Sequence, residues 1–129
     1  MATPDKPKTE TGLLRIWKAF FYSLSGFKLA FRDEAAFRQE LLLAAVLTPL
    51  CLYLPLEHWI KVAIICSHVL VLIVELLNTA VESVVDIASP EYHHDAKKAK
   101  DTGSSAVLLS LFLTSGLWVY AIWTLGIIS

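Results

Sequence analysis

Glycine-rich phosphate loops are missing from this sequence. Neither a Walker-type nor a kinase-type loop occurs, and there is no nucleophile elbow. The common folds that handle nucleotides or esters through such turns are thereby excluded. Cysteine is scarce too. Cys51 and Cys66 both lie in apolar runs, without metal spacing or a disulfide framework, and read as lipid-facing or core thiols. An excess of positive charge is also absent: eleven Lys and Arg against twelve Asp and Glu give a net charge of -1, so no nucleic-acid partner is expected. The polar residues 1–11 hold no apolar signal-peptide core, which leaves membrane targeting to later helices. No internal repeat or low-complexity tract stands out.

What is present is apolar surface. The 129 residues leave room for one domain, and 56% of them are hydrophobic. A mean hydropathy of +0.59 is too high for a small soluble protein, whose surface must carry more charge. The expected class is an all-α membrane protein. Residues 1–11 mix Pro, Lys, Thr, Asp and Glu and predict a disordered tail. A single membrane domain, 12–129, follows.

Leu13, Trp17, Phe20, Phe21, Leu24, Phe27 and Phe31 recur at spacings of three and four, on one face of a helix over 12–31. Arg15, Lys18, Lys28 and Arg32 fall mainly elsewhere on it. An aromatic face with flanking basic residues suits an amphipathic helix lying in the membrane interface; an ordinary core-facing helix is the alternative. Three spans are expected after it, at about 35–56, 59–87 and 103–127. The first has an uncharged stretch of 16 residues, 41–56, with Pro49 and Pro55 late in it. The third is uncharged from 103 to 129, and its Tyr120 and Trp123 suit an interfacial belt.

Basic residues orient the chain. Seven of the eleven precede the uncharged stretch of the first span, and Lys97, Lys98 and Lys100 lie between the second and third. The N-terminus and the 88–102 loop are therefore expected in the cytoplasm and the C-terminus outside.

Carboxylates interrupt the second span. Each costs about 2.5–3.5 kcal/mol to insert, so its first reading is functional. Glu75, Asn78, Thr79, Glu82 and Asp86 fall within roughly a 100° arc of one helix, over about 16 Å of rise. The stripe would run from membrane depth to the cytoplasmic surface. A polar seam that joins helices is the competing reading, stronger for Asn78 and Thr79 than for Glu75 and Glu82. At the start of the first span stand Asp33, Glu34, Arg38, Gln39 and Glu40. Glu34 could pair with Arg38 four residues on, or join Glu82 around a divalent cation whose other ligands are phosphate oxygens, as Mg2+ prefers. In the loop after Pro90, Lys100 is a plausible phosphate partner, and Asp101 with Thr102 predicts the N-cap of the third span. His93 and His94, adjacent and without further ligands, are a weak metal signal.

The stretches Glu34-Ala-Ala-Phe-Arg-Gln-Glu40, Val74-Glu-Leu-Leu-Asn-Thr-Ala-Val-Glu82 and Glu91-Tyr-His93, with Ala99-Lys-Asp101 and Gly103-Ser104, together resemble the prokaryotic diacylglycerol kinase family. The likeness runs without an evident gap from about Arg15 into the third span. It implies a homotrimer in the bacterial inner membrane, with active sites shared between subunits, ATP as co-substrate and Mg2+ as cofactor. Carried over by position, Glu75 resembles the catalytic base that takes the proton of the lipid hydroxyl, with Asn78 beside it. Glu34 and Glu82 resemble the metal-holding carboxylates. Arg15, Tyr22, Glu91, Tyr92, His93, Lys100 and Asp101 match positions around the nucleotide. Arg15, Ser23, Arg38, Gln39, Glu40 and Ser104 match positions near the lipid. The 94–98 loop departs from the family pattern.

Three other readings remain at this point. An undecaprenol kinase would use the same scaffold, although the helix at 15–26 is similar to the Gram-negative diacylglycerol type. A small proton-coupled transporter would use the intramembrane Glu as its ion site, but three spans and the Glu-Tyr-His loop speak against it. A non-enzymatic assembly subunit would have no use for Glu75, Asn78 and Glu82 on one face.

Overall fold

The computed structural model describes residues 3–127, and residues 1, 2, 128 and 129 of the expected tail and membrane domain lie outside it. Four helices follow one another: α1 over Gly12–Asp33, α2 over Ala35–Tyr53, α3 over His58–Ala88 and α4 over His94–Thr124. Residues 3–11 carry no regular secondary structure, but Glu10 pairs with Lys18 of α1 at 2.7 Å. The helices α2, α3 and α4 are each long and apolar enough to cross a membrane.

Each boundary has a local cause. At Glu34 the backbone turns extended, with φ -113 and ψ 108, which separates α1 from α2. The carbonyls left open at the end of α1 are taken by Arg38, whose Nη1 donates to Phe31 O and Arg32 O, both at 2.9 Å. Of the two readings of Glu34, the pairing with Arg38 is thus not formed: a cation at a helix C-terminus satisfies orphan carbonyls and the helix dipole together. The first span ends at Tyr53, earlier than 56. Pro55 forces Leu54 out of the helical region, to ψ 145. Lys61 then closes the short link by donating to Leu52 O at 2.8 Å.

The last helix corrects a larger expectation. α4 begins at His94, not near 103, so Asp101 and Thr102 lie inside it and cap nothing. The N-cap is His93, whose Nδ1 accepts from Asp95 N at 3.1 Å. Ala and Lys between 96 and 100 are good helix formers, and Lys97 pairs with Asp101 one turn on. What reads as a polar loop is helix that has left the apolar layer. At 31 residues each, α3 and α4 run about 46 Å against a hydrocarbon core of about 30 Å. Their joined ends at residues 88–94 therefore project beyond the membrane as a helical hairpin.

Packing is uneven along the bundle. Cys51, Leu56, Ile60, Ile64 and Ala121 form a buried cluster at the end away from that hairpin. Trp59, Tyr120 and Trp123 gather at the same end, with ring centroids 5.8 and 5.9 Å apart, where a belt of amphipathic rings belongs. At the opposite end Phe37 is buried under α1, its ring 6.5 Å from that of Phe27. Of the 22 residues of α1 only Ala30 is buried, and α1 touches α2 and α3 but not α4.

Candidate active site

The carboxylate stripe lies on α3 as the 3.6-residue period requires. Burial falls along it towards the hairpin: Glu75 and Asn78 are buried, Thr79 and Glu82 half-buried, Asp86 exposed. Across from Glu75, on α2, stands Glu40, and the two carboxyl groups are close enough to act on one another. Glu34 and Glu82 are both close enough to act electrostatically on Glu75. Four carboxylates, from the α1–α2 junction, α2 and α3, thus lie in one region of the bundle.

Several polar atoms here have no protein partner. Glu40 Oε2, Asn78 Oδ1 and Thr79 Oγ1 are buried and unsatisfied, an arrangement costly enough to mark a place where a ligand or ion supplies the missing contacts. Asn78 Nδ2 donates to Glu82 Oε1 at 3.4 Å. Its Oδ1 lies against Gly103 of α4, where any β-carbon would collide with it. Glycine at 103 is therefore what allows α3 and α4 to close around the Asn78 amide.

Two of the cavities near this centre gather residues singled out in the sequence. One of about 500 Å3 is lined by Ser23, Asp33, Glu34 and Thr79, among others. The other, of about 410 Å3, sits in the projecting hairpin. It brings together Glu91, Tyr92, His93, Lys100 and Asp101, the five hairpin residues expected at a nucleotide. Asp86 joins them, holding Lys100 by an ion pair of 2.5 Å. Arg15 and Tyr22 are not brought in. They stand exposed on α1, about 28 and 18 Å of helix rise before Glu34. Gln39 and Ser104 are exposed as well, and Arg38 is committed to the end of α1.

Residues 21–122 match the prokaryotic diacylglycerol kinase family. The chain belongs to that family. The diacylglycerol kinase of Pseudomonas aeruginosa is 46% identical over 116 residues, which cover 90% of this chain and 94% of that protein. That of Haemophilus influenzae is 42% identical over 108 residues, covering 84% and 92%. That of Escherichia coli K12 is 40% identical over 114 residues, covering 88% and 93%. Every candidate residue from Tyr22 to Ser104 falls inside the stretch matched to the prokaryotic diacylglycerol kinase family; Arg15 precedes it.

A kinase of this family works with ATP, and the carboxylates fit the divalent cation that accompanies it. Among the described residues no group of three or more His, Cys, Asp or Glu could hold an ion unaided. Glu34 and Glu82 offer hard oxygens near Glu75 but would need further ligands. That is the donor set of Mg2+, which binds through one or two carboxylates, substrate phosphates and water.

Sequence reasoning missed two things in this region. Asp86 appeared only as the end of a stripe, while its role is to fix Lys100 across the α3–α4 hairpin. The contact of Glu40 with Glu75 joins positions 35 apart, which no local pattern connects.

Proposed function

We propose that the chain transfers the γ-phosphate of Mg-ATP to the primary hydroxyl of 1,2-diacylglycerol, giving phosphatidic acid and ADP. The observation that carries this reading is the buried Glu75 carboxyl, ringed by three further carboxylates below a polar hairpin cavity. Glu75 is the general base that takes the proton of the lipid hydroxyl as its oxygen attacks the γ-phosphorus. Asn78 holds the base region through Glu82 and lies against Gly103. Glu34 and Glu82 would hold Mg2+, which would supply neutralisation of the charge on the phosphate oxygens. Lys100, fixed by Asp86, and Glu91, Tyr92, His93 and Asp101 receive the nucleotide. Phosphoryl transfer asks mainly for positioning and charge neutralisation, so this set suffices without a glycine loop.

The same reading places the protein in the bacterial inner membrane. The N-terminus and the hairpin face the cytoplasm where ATP is, the C-terminus faces the periplasm, and α1 lies in the interface with its aromatic residues towards lipid. The protein works as a homotrimer whose active sites are shared. Arg15 and Tyr22 complete a neighbouring subunit's site, since they lie too far along α1 to reach their own.

The direct test is purified protein in mixed micelles with Mg-ATP, offered diacylglycerol and undecaprenol side by side. Faster phosphorylation of diacylglycerol is expected. Transfer to the polyprenol alone would overturn the substrate assignment, and transfer to neither would overturn the activity.

Metal titration tests the carboxylates. Glu34→Ala and Glu82→Ala are each expected to raise the Mg2+ needed for half-maximal rate by about tenfold or more, since loss even of an outer-sphere partner has effects of that size. Unchanged titration curves in both variants would show these carboxylates to be structural.

A further inference from the structure

The hairpin cavity that gathers the nucleotide residues also holds a cation that the kinase reading leaves unused. Lys97 lines the same cavity of about 410 Å3 as Glu91, Tyr92, Lys100 and Asp101. On α4, Lys97, Lys100 and Asp101 fall within about a 100° arc, so the helix presents them on one side. Lys97 belongs to the 94–98 segment, where the chain departs from the family pattern, and resemblance alone gives it no role.

The charges around the cavity show why a second ammonium group matters there. Asp86, Glu91 and Asp101 line it, and Glu34, Glu40, Glu75 and Glu82 stand in the carboxylate site described above. A triphosphate entering among so many carboxylates meets repulsion that Mg2+ offsets only in part, and fixed cations must supply the rest. Among the described residues lining the cavity, the ammonium groups are those of Lys97 and Lys100. Other basic residues are committed or placed elsewhere. Arg38 serves the carbonyls that end α1, Arg32 pairs with Asp33 at 2.7 Å, and Lys98 lines a separate cavity with Asn78 and Gly103.

Each lysine of the cavity has a carboxylate partner. Asp86 of α3 pairs with Lys100, and Asp101 pairs with Lys97 one turn along α4. The ordinary reading of the second pair is support for an exposed helix. With side chains 59% and 64% exposed, however, such a pair adds little to stability, and the ammonium group can leave its carboxylate at small cost. A phosphate carries more charge than a carboxylate and accepts through more oxygens, so it is the stronger partner. Until an anion arrives, Asp101 keeps the lysine at the cavity.

We propose that Lys97 is a second phosphate-binding lysine of the nucleotide site, exchanging Asp101 for the phosphates of ATP when the nucleotide binds. The inference deepens the kinase reading and rests on it. Lys97 meets the phosphates in the ground state and the transition state alike. It therefore strengthens ATP affinity without speeding the chemical step, and is a binding residue, not a catalytic one.

The test is steady-state kinetics with Mg-ATP and dioleoylglycerol in mixed micelles, for the wild type and for Lys97→Met, Lys97→Arg and Lys98→Met. Met and Arg are good helix formers, so α4 is preserved. Lys97→Met is expected to raise KM for ATP about tenfold, the weight of one charge-assisted hydrogen bond, with kcat and KM for the lipid within about twofold of wild type. Lys97→Arg keeps the charge and should stay near the wild-type KM. Lys98→Met removes the same charge one residue on, about 160° around the helix from Lys100, and should leave KM for ATP unchanged. An equal rise of KM in Lys97→Met and Lys98→Met would show general attraction of anions by a basic hairpin, and the proposal would fall. An unchanged KM in Lys97→Met, or a fall in kcat alone, would also overturn it and leave the pair with Asp101 structural. Equilibrium binding of ATP to the same preparations keeps the two readings apart. Wild-type protein that bound ATP but did not phosphorylate the lipid would defeat the kinase reading, while the loss of ATP affinity in Lys97→Met would still decide the role of the lysine.

Discussion

Glu75→Gln is expected to abolish phosphate transfer, lowering the rate by about 10²-fold or more, roughly 2.7 kcal/mol of barrier. Glutamine keeps the size and shape of a side chain that is only 5% exposed, so packing of α3 should be preserved. Its amide can still meet Glu40 across the α2–α3 interface, which leaves no new buried carboxyl unpaired. What it cannot do is accept the proton of the lipid hydroxyl. Oligomer size and ATP affinity should therefore stay near wild type while turnover collapses, a pattern that separates a base from a structural group. The comparison to make is single-turnover transfer beside ATP binding on the same preparation. A variant that kept more than a tenth of the wild-type rate would remove Glu75 from the role of base. The transporter reading, in which an intramembrane Glu carries protons, would then regain ground.

Much of this architecture was legible because a membrane simplifies the code. Aromatic spacing placed α1, and uncharged runs placed the cores of α2, α3 and α4 to within a few residues. The stripe of Glu75, Asn78, Thr79, Glu82 and Asp86 could be drawn from the helical period alone, and its graded burial follows it. The start of α4 escaped because a helix that continues into water needs no apolar pattern. There, Ala, Lys and a Lys97–Asp101 pair suffice, and such a segment reads as a loop when charge is taken for irregularity. Arg38 escaped for a different reason. Four residues after Glu34 it looks like half of a helical ion pair, but the helix breaks at Glu34, and the open carbonyls of α1 attract the guanidinium more strongly. The hydrogen bonds that join Thr48, His68 and Trp118 across α2, α3 and α4 were beyond reach. Their partners stand 20 and 50 residues apart, and only the packing of three helices brings them together.

Mixing experiments give the sharpest test of a shared site, and the fold indicates which pair of variants to mix. Glu34 stands within electrostatic range of Glu75 in one chain, so that pair discriminates poorly between shared and private sites. Arg15 is different. It lies on an unbroken helix, about 28 Å of rise before Glu34, and α1 makes no contact with α4. If Arg15 serves an active site, that site belongs to another subunit. Arg15→Ala and Glu75→Gln chains alone should each be nearly inactive, whereas chains unfolded and reassembled together at equal ratio should recover activity. In a cyclic trimer each composite site needs an intact base from one chain and an intact Arg15 from its neighbour. With random assembly both conditions hold in about a quarter of sites, so about 25% of the wild-type rate is the expected ceiling. A site housed in a single chain would predict no recovery, because every chain in the mixture lacks one of the two groups. Tagged pull-down must first establish that mixed trimers form. Confirmed mixed trimers without activity would reject the composite site, and full activity of Arg15→Ala alone would remove Arg15 from it.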